Sequence, residues 1–476
     1  MLFSSTVFLF AFLPLVLALH LVLRDVRLRN ALLLSASLVF YAWGEAVYVL
    51  LLVFSIGANH LFGLWIDRRR GRPGDRLALA VAVSSNLILL AAFKYANFIV
   101  DNLDVALAAL GVAPIELAPV HLPIGISFFT FQSLTYVVDI HRREASPQRN
   151  PLLVGLYIAF FPQLIAGPIV RYRRIAEQLA SRNPRIEDVA AGLRRFVVGL
   201  GKKVLIANTL AVPADAIFAI PVDQLETGVA WLGIVCFSLQ IYFDFAGYSD
   251  MAIGLGRCFG FDFPENFDWP YTSRSLREFW RRWHMSLSTF FRDYLYIPLG
   301  GNRLGAGRTA VNLLLVFLLC GLWHGAAWIF VIWGLVHGFF LALERTAFGR
   351  GLERAPALVQ HVYVSFVVMI AWVFFRADTL SHALGYLDAL AGLGAASGGA
   401  WPFVVVFDPL IASVLAIAAL SALSWTRRWG AELARTLEAP PLSLDVARLV
   451  ALGAIGLLCA MSLAAGTHNP FIYFRF

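Results

Sequence analysis

The chain has 476 residues, 59% of them hydrophobic and only 14% charged, against about 45–50% apolar and about 25% charged in soluble domains. Apolar runs of about 20 residues recur from end to end, each long enough to cross a hydrocarbon core of ~30 Å. They exclude a string of soluble domains and predict one all-α polytopic membrane domain over residues 1–476. The formal charge of +8 does not imply nucleic acid as a partner, because Lys and Arg gather in short loops between apolar runs, as cytoplasmic loops do. Cys236, Cys258, Cys320 and Cys459 lie in apolar surroundings without a CxxC pair, so neither a disulfide framework nor a metal site is expected.

The first span is read at residues 3–23. No Lys or Arg precedes its apolar run and Arg24, Arg27 and Arg29 follow it, which predicts an uncleaved span with its N-terminus outside the cytoplasm. Residues 31–66 are long enough for two helices broken near Trp43-Gly44-Glu45, and Arg68–Arg70 with Arg72 return the chain to the cytoplasmic side. A span over 77–100 carries Lys94 near its end, placed to snorkel to the interface. Another follows at 123–143, with Asp139 expected to be solvated at its boundary. The stretch PLLVGLYIAFFPQLIAGPIVRYRR has basic residues behind both ends and Pro162, Gln163, Gly167 and Pro168 inside. Broken backbone at membrane depth is tolerated only where protein or a water-filled cavity surrounds it. A re-entrant or bent segment lining a cavity is therefore expected, with an ordinary kinked helix as the alternative.

Residues 172–193 read as a cytoplasmic helix or loop. Residues 196–220 are apolar but hold Lys202, Lys203 and Asp215, and 227–260 are long enough for two elements. After the turn-rich loop DFPENFDWPY, residues 274–293 show helical spacing of Trp280, Trp283 or His284, Leu287 and Phe291, with Arg281, Arg282 and Arg292 on other faces. This predicts one interfacial helix in the membrane plane, contacting lipid, stopped by PLGGN. Residues 310–342 exceed a single untilted span, and further spans are expected at 357–375, 402–424 and 446–465, with an outside loop at 386–400. The total is about eleven spans at ~20 residues each, with the C-terminus outside and no internal repeat.

His324 lies within the apolar run LLLVFLLCGLWHGAAWIFVIWGL. An ionisable side chain inside a span is a functional-site hypothesis by default. Neutral imidazole can take a proton near pH 7 and return it, so His324 is a candidate base. The competing reading is a packed histidine bonded to a backbone carbonyl. His284 sits among arginines and could serve lipid phosphates instead. On one continuous helix His337 falls nearly opposite His324 at 100° per residue, which separates the two. Cys320 shares the face of His324 and could carry an acyl thioester or simply fill space. Asp244 and Asp250 could position a base, bind a cation, or satisfy buried backbone and the arginines of 277–292. No P-loop, GxSxG, HExxH or dinucleotide fingerprint stands in a supporting context.

REFWRRWHMSLSTFFRDYLYIPLGGNR and LLCGLWHGAAWIFVIWGLVHG strongly resemble the membrane-bound O-acyltransferase family. They are most similar to its bacterial branch, which serves alginate O-acetylation and teichoic-acid D-alanylation. PIGISFFTFQSLTYVVDIHR, FFPQLIAGPIVRY, QIYFDFAGYSDMAIG, NFDWPY and PFIYFRF agree. The resemblance implies membrane helices plus re-entrant and interfacial helices in a ring around a central tunnel. It places the family's catalytic histidine at His324 and its second histidine at His284. It implies a bacterial inner-membrane O-acetyltransferase that moves acetyl from a cytoplasmic thioester, acetyl-CoA, to an exported polysaccharide. Alginate is the leading acceptor, and a periplasmic acetyltransferase of SGNH serine-esterase fold is the implied partner. Arg281 and Arg282 would suit the donor phosphates. The alternatives are another acceptor (cellulose, peptidoglycan or a D-alanylated polymer) and, from a different class, a transporter or scaffold that makes no bond.

Overall fold

The computed structural model describes residues 1–394, 408–423, 442–466 and 468–470, and every regular element among them is a helix. Seven of these helices are long and apolar enough to cross a membrane, or eight if Trp328–Leu343 and Ala347–Arg354, bent by 77° at their junction, make one span. Shorter apolar helices lie at Phe8–Val22 and Pro409–Ser421. Part of the expected 402–424 span, the basic residues Arg427, Arg428 and Arg435, and the terminal FIYFRF lie outside the described residues, as do residues 395–400 of the loop expected at 386–400, whose first residues are instead the end of the helix Leu380–Leu390. The chain divides into two compact units, Met1–Phe196 with Met251–Pro264 and Val197–Asp250 with Glu265–Phe476.

In the first unit a π-helical turn, Phe8–Phe12, leads into α1 (Leu13–Val22), followed by α2 (Val26–Ala42) and α3 (Val49–Arg69). Asp25 caps α2 by accepting from the Arg27 N–H at 2.6 Å, the ordinary use of an N-cap carboxylate. The break between α2 and α3 falls where Trp43-Gly44-Glu45 predicted it. Glu45 is buried there and accepts from His121 Nε2 at 3.1 Å and the Ile124 N–H at 3.0 Å. α4 (Asp75–Lys94) packs on α3 through reciprocal amide bonds between Asn59 and Asn86, at 3.0 and 2.8 Å. Such pairing satisfies polar side chains that an apolar surround would otherwise penalise.

α5 (Ala96–Ala109) and α6 (Ile126–His141) follow. Two expectations fail here. Lys94 does not snorkel outward; it is buried and donates to Ser127 Oγ at 3.3 Å. Asp139 is not solvated; it is fully buried and accepts from the Arg173 N–H at 3.3 Å. The stretch read as re-entrant or bent is broken: α7 (Pro151–Ala159) stops at Phe160 (ψ 114°), α8 (Phe161–Leu164) makes one turn, and α9 (Tyr172–Ala180) resumes after extended backbone. The freed polar groups are taken up by protein: Tyr157 Oη donates to Val170 O at 2.9 Å, and Phe161 N–H donates to Ser37 Oγ at 3.1 Å.

α10 (Ile186–Gly201), a π-helical turn (Lys202–Ala207) and α11 (Asn208–Phe218) form one continuous rod with Pro213 inside it. Residues 227–260, long enough for two elements, are instead a single 32-residue helix, α12 (Thr227–Cys258). In the second unit this rod and α12 meet through two ion pairs, Lys203 with Asp244 at 2.7 Å, which is buried, and Lys202 with Asp250 at 2.6 Å, which is partly exposed. Each of the two aspartates thus has a lysine partner. α13 (Leu276–Arg282), α14 (Met285–Phe291), α15 (Ala306–His324) and α16 (Trp328–Leu343) carry the site. α17 (Ala347–Arg354), α18 (Ala357–Arg376), α19 (Leu380–Leu390), α20 (Pro409–Ser421) and α21 (Leu442–Ala464) complete the described chain.

Candidate active site

Residues 274–293 do not form one helix. Ser275 caps α13 by accepting from the Glu278 N–H at 3.1 Å, and Glu278 accepts in turn from the Arg274 N–H at 2.8 Å, close to a capping box. The Glu344 carboxylate takes the Leu276 and Arg277 N–H groups at 2.5 and 3.1 Å. α13 then ends because Trp283 turns extended (φ −100°, ψ 127°) and His284 adopts the left-handed conformation (φ 43°, ψ 54°) as N-cap of α14. That conformation costs a non-glycine residue roughly 1–2 kcal/mol. Strain of this kind persists where surrounding structure over-determines it.

Asn266 supplies the determination. Its backbone carbonyl accepts from Met285 N–H at 2.9 Å, and its side-chain oxygen accepts from Ser286 N–H at 3.2 Å and Ser286 Oγ at 2.9 Å. The same Oδ1 lies 3.1 Å from His284 Nδ1, while Nδ2 donates to Ser249 Oγ at 3.0 Å. The backbone N–H of Ser286 can only donate, so the amide atom facing it is the oxygen, and His284 Nδ1 must carry the proton. His284 is therefore the Nδ1–H tautomer, with the lone pair on Nε2. Nε2 is buried without a hydrogen-bond partner among the described residues. Burial pushes this imidazole down to about 3, so it is neutral at pH 7. His284 is 1% exposed, which overturns its placement against lipid phosphates. The Phe245 ring stands edge-on to it at 4.5 Å.

His324 is the last residue of α15, not a mid-helix residue, and the chain turns through extended Gly325 into α16. The turn exists because the two helices touch backbone to backbone. A Cβ on Gly321 would lie 2.2 Å from Phe330 O, and one on Gly334 would lie 2.1 Å from Phe317 O. The His324 imidazole is buried and enclosed edge-on by Trp323 at 4.8 Å, Trp333 at 4.9 Å and Phe375 at 5.3 Å. Trp323 also reaches the His284 ring at 6.3 Å, so one indole borders both histidines.

The hairpin also corrects the placement of His337. α15 and α16 are not one helix, so the 100° count does not apply across the turn. His337 packs on the opposite end of Trp333, 5.0 Å between ring centroids, and its Nδ1 accepts from Trp280 Nε1 at 3.3 Å. The three histidines are thus strung along two tryptophans. Cys320 shares the helix of His324 one turn earlier and is buried. Arg281 and Arg282 differ in availability. Arg281 is exposed, whereas Arg282 is engaged by Glu278 at 2.8 Å and by Asp268 O at 3.3 Å. Sequence reasoning missed Asn266 and Ser286. The only signal for Asn266 was an amide inside NFDWPY, read merely as a turn.

The fold and the site together define a multi-pass helical membrane protein with a buried histidine centre. The chain belongs to the membrane-bound O-acyltransferase family, whose model matches residues 121–377, and it is an acyltransferase. It is 42% identical over 497 aligned positions, covering all of both chains, to the probable alginate O-acetylase of Pseudomonas putida. It is 46% identical over 402 positions to that of Azotobacter vinelandii (83% of this chain, 79% of the relative). It is 37% identical over 433 positions to the peptidoglycan O-acetyltransferase of Helicobacter pylori (83% and 81%).

Proposed function

We propose that this acyltransferase moves acetyl groups from acetyl-CoA, on the cytoplasmic side of the bacterial inner membrane, toward an exported polysaccharide, with alginate the leading acceptor. The full-length likeness to a probable alginate O-acetylase carries this reading. In the transfer, His324 takes the proton of an attacking hydroxyl as its oxygen closes on the thioester carbonyl. The C–S bond then breaks, and the departing thiolate receives the proton from the imidazolium. His284, neutral and held in one tautomer, presents Nε2 as the second histidine of the site, where it positions the reacting hydroxyl. The indoles and Phe375 exclude water that would otherwise hydrolyse the thioester. Exposed Arg281 suits the donor phosphates, and Arg282 would contribute only by exchanging its carboxylates. A periplasmic acetyltransferase of SGNH fold receives the acetyl and modifies the polymer.

The likeness to a peptidoglycan O-acetyltransferase supports peptidoglycan as the second acceptor. The test is ester-linked acetyl on each exported envelope polymer, by mass spectrometry, in a deletion strain complemented with wild type or His324→Ala at matched membrane levels. One polymer that loses its acetyl only with the variant names the acceptor. A general base contributes about 10²–10⁴-fold, and a fall of that size is expected. Unchanged acetylation with His324→Ala would sink the catalytic role of His324 and leave the scaffold reading.

A further inference from the structure

The first unit holds a cluster of three side chains whose ring and guanidinium nitrogens are only partly taken up among the described residues. His20 on α1 is fully buried, and neither of its ring nitrogens has a hydrogen-bond partner among the described residues. Arg29 and Arg182 both lie close enough to act electrostatically on that ring and on each other. Side chains tie this region to neighbouring carbonyls at the end of α9: Asn30 Nδ2, next to Arg29, donates to Leu179 O at 2.9 Å, and Arg182 Nη1 to Gln178 O at 3.2 Å. Arg182 also donates through Nε to Phe259 O at 2.9 Å and lies over the Phe261 ring at 4.2 Å, while His20 stands edge-on to Phe259 at 5.1 Å.

What these bonds leave over matters more. Arg182 Nη2 is buried with no acceptor among the described residues. Arg29 uses only Nε, on Leu23 O at 2.7 Å, and keeps its terminal nitrogens. Among the described residues no carboxylate pairs with either arginine. Asp25, one turn before Arg29, spends Oδ1 on the Arg27 N–H. Two guanidinium groups beside a buried imidazole, unrelieved by any acid, repel one another, and buried donors without acceptors are costly. A tetrahedral oxyanion resolves both at once, since guanidinium forks match phosphate oxygens.

We propose that His20, Arg29 and Arg182 form a binding site for a phosphate group, entered past Arg29. The arginines sit in basic stretches of the kind that faces the cytoplasm. Two phosphate sources are available there: the headgroup of an anionic phospholipid and the phosphates of coenzyme A.

The test uses the full-length protein in detergent with two probes, phosphatidylglycerol followed by native mass spectrometry and coenzyme A followed by calorimetry. Wild type is compared with Arg29→Gln, Arg29→Lys and His20→Asn. Weakening by about tenfold or more in Arg29→Gln and His20→Asn, with recovery in Arg29→Lys, is expected for one probe or both, as charge-assisted bonds to phosphate are lost. Loss of lipid alone assigns the headgroup, and loss of coenzyme A alone assigns the donor. Equal binding of both probes by wild type and by two monodisperse variants overturns the site.

Discussion

Asn266 Oδ1 lies 3.1 Å from His284 Nδ1 and takes the Ser286 backbone N–H at the same time. One amide oxygen therefore sets both the tautomer of the imidazole and the left-handed turn that presents it. The amide thus acts as a positioning group for the His284 ring. Asn266→Leu should lower acyl transfer by about tenfold or more, with Asn266→Asp retaining more because it keeps the acceptor. Ser249→Ala, which touches only the far side of the amide, should cost least. Acyl-ester yield at matched protein level checks the order. Equal loss in all three would reduce Asn266 to a packing residue.

The buried His284 gives stability a defined pH dependence. In the unfolded chain its imidazole binds a proton below about 6.5, whereas burial holds it near 3 in the folded protein. As pH falls, the unfolded state gains protons first. The stabilisation is complete above pH 6.5 and declines between 6.5 and 3, by at most about 1.4 kcal/mol per pH unit. Melting temperature in detergent should drop from pH 7 to pH 5, and His284→Gln should show a shallower slope.

Cys320 shares a helix face with His324 but is enclosed. Cys320→Ala should leave acyl transfer within a few-fold of wild type while lowering the melting temperature slightly, as deletion of a small buried group does. Loss of activity with an unchanged melting curve would instead place an acyl thioester on this sulfur.

Lys203 and Asp244 form an ion pair in which both side chains are 3% exposed. Removing one partner leaves a buried charge, at a cost of roughly 3–5 kcal/mol, whereas replacing both with apolar groups is often tolerated. Lys203→Met should therefore melt well below wild type, and Lys203→Met with Asp244→Leu should recover part of the loss. A double variant no better than the single one would show that the Lys203 contact with Pro470 O carries the stability instead.

Much of the fold was legible because its signals are local. Long apolar runs bounded by arginines marked the spans, and the proline-rich 160–170 stretch announced a break. The site's histidines were legible only through extended motifs, and their geometry was not. Gly325 behind His324 is a helix-stop signal, but the run on both sides of it stays apolar and reads as continuous. The turn is imposed from a distance by Gly321 and Gly334. The 274–293 segment kept a helical pattern of aromatics although His284 leaves the helix. Its left-handed backbone is held by Asn266, 18 residues earlier. Lys94 and Asp139 misled for the same reason: their partners, Ser127 and Arg173, are brought by packing, which spacing does not encode.

The glycine seam can be probed directly. Gly321→Ala places a methyl 2.2 Å from a carbonyl oxygen, whereas a Cβ on Gly307 of the same helix would meet nothing within 4 Å. Gly321→Ala should lower the melting temperature, at an overpacking cost of about 1–3 kcal/mol or more. Gly307→Ala should be neutral or stabilising. Similar behaviour of the two would mean that the hairpin yields.

That seam also constrains how the enzyme can turn over. Helices whose main chains already touch have no lubricating layer of side chains, so α15 and α16 cannot slide or roll past one another without first separating. His324, riding on the tip of this clamped pair, is then a stationary anvil. Whatever must move for the acyl donor to enter and the product to leave has to be the substrate itself, or the rings that close around it.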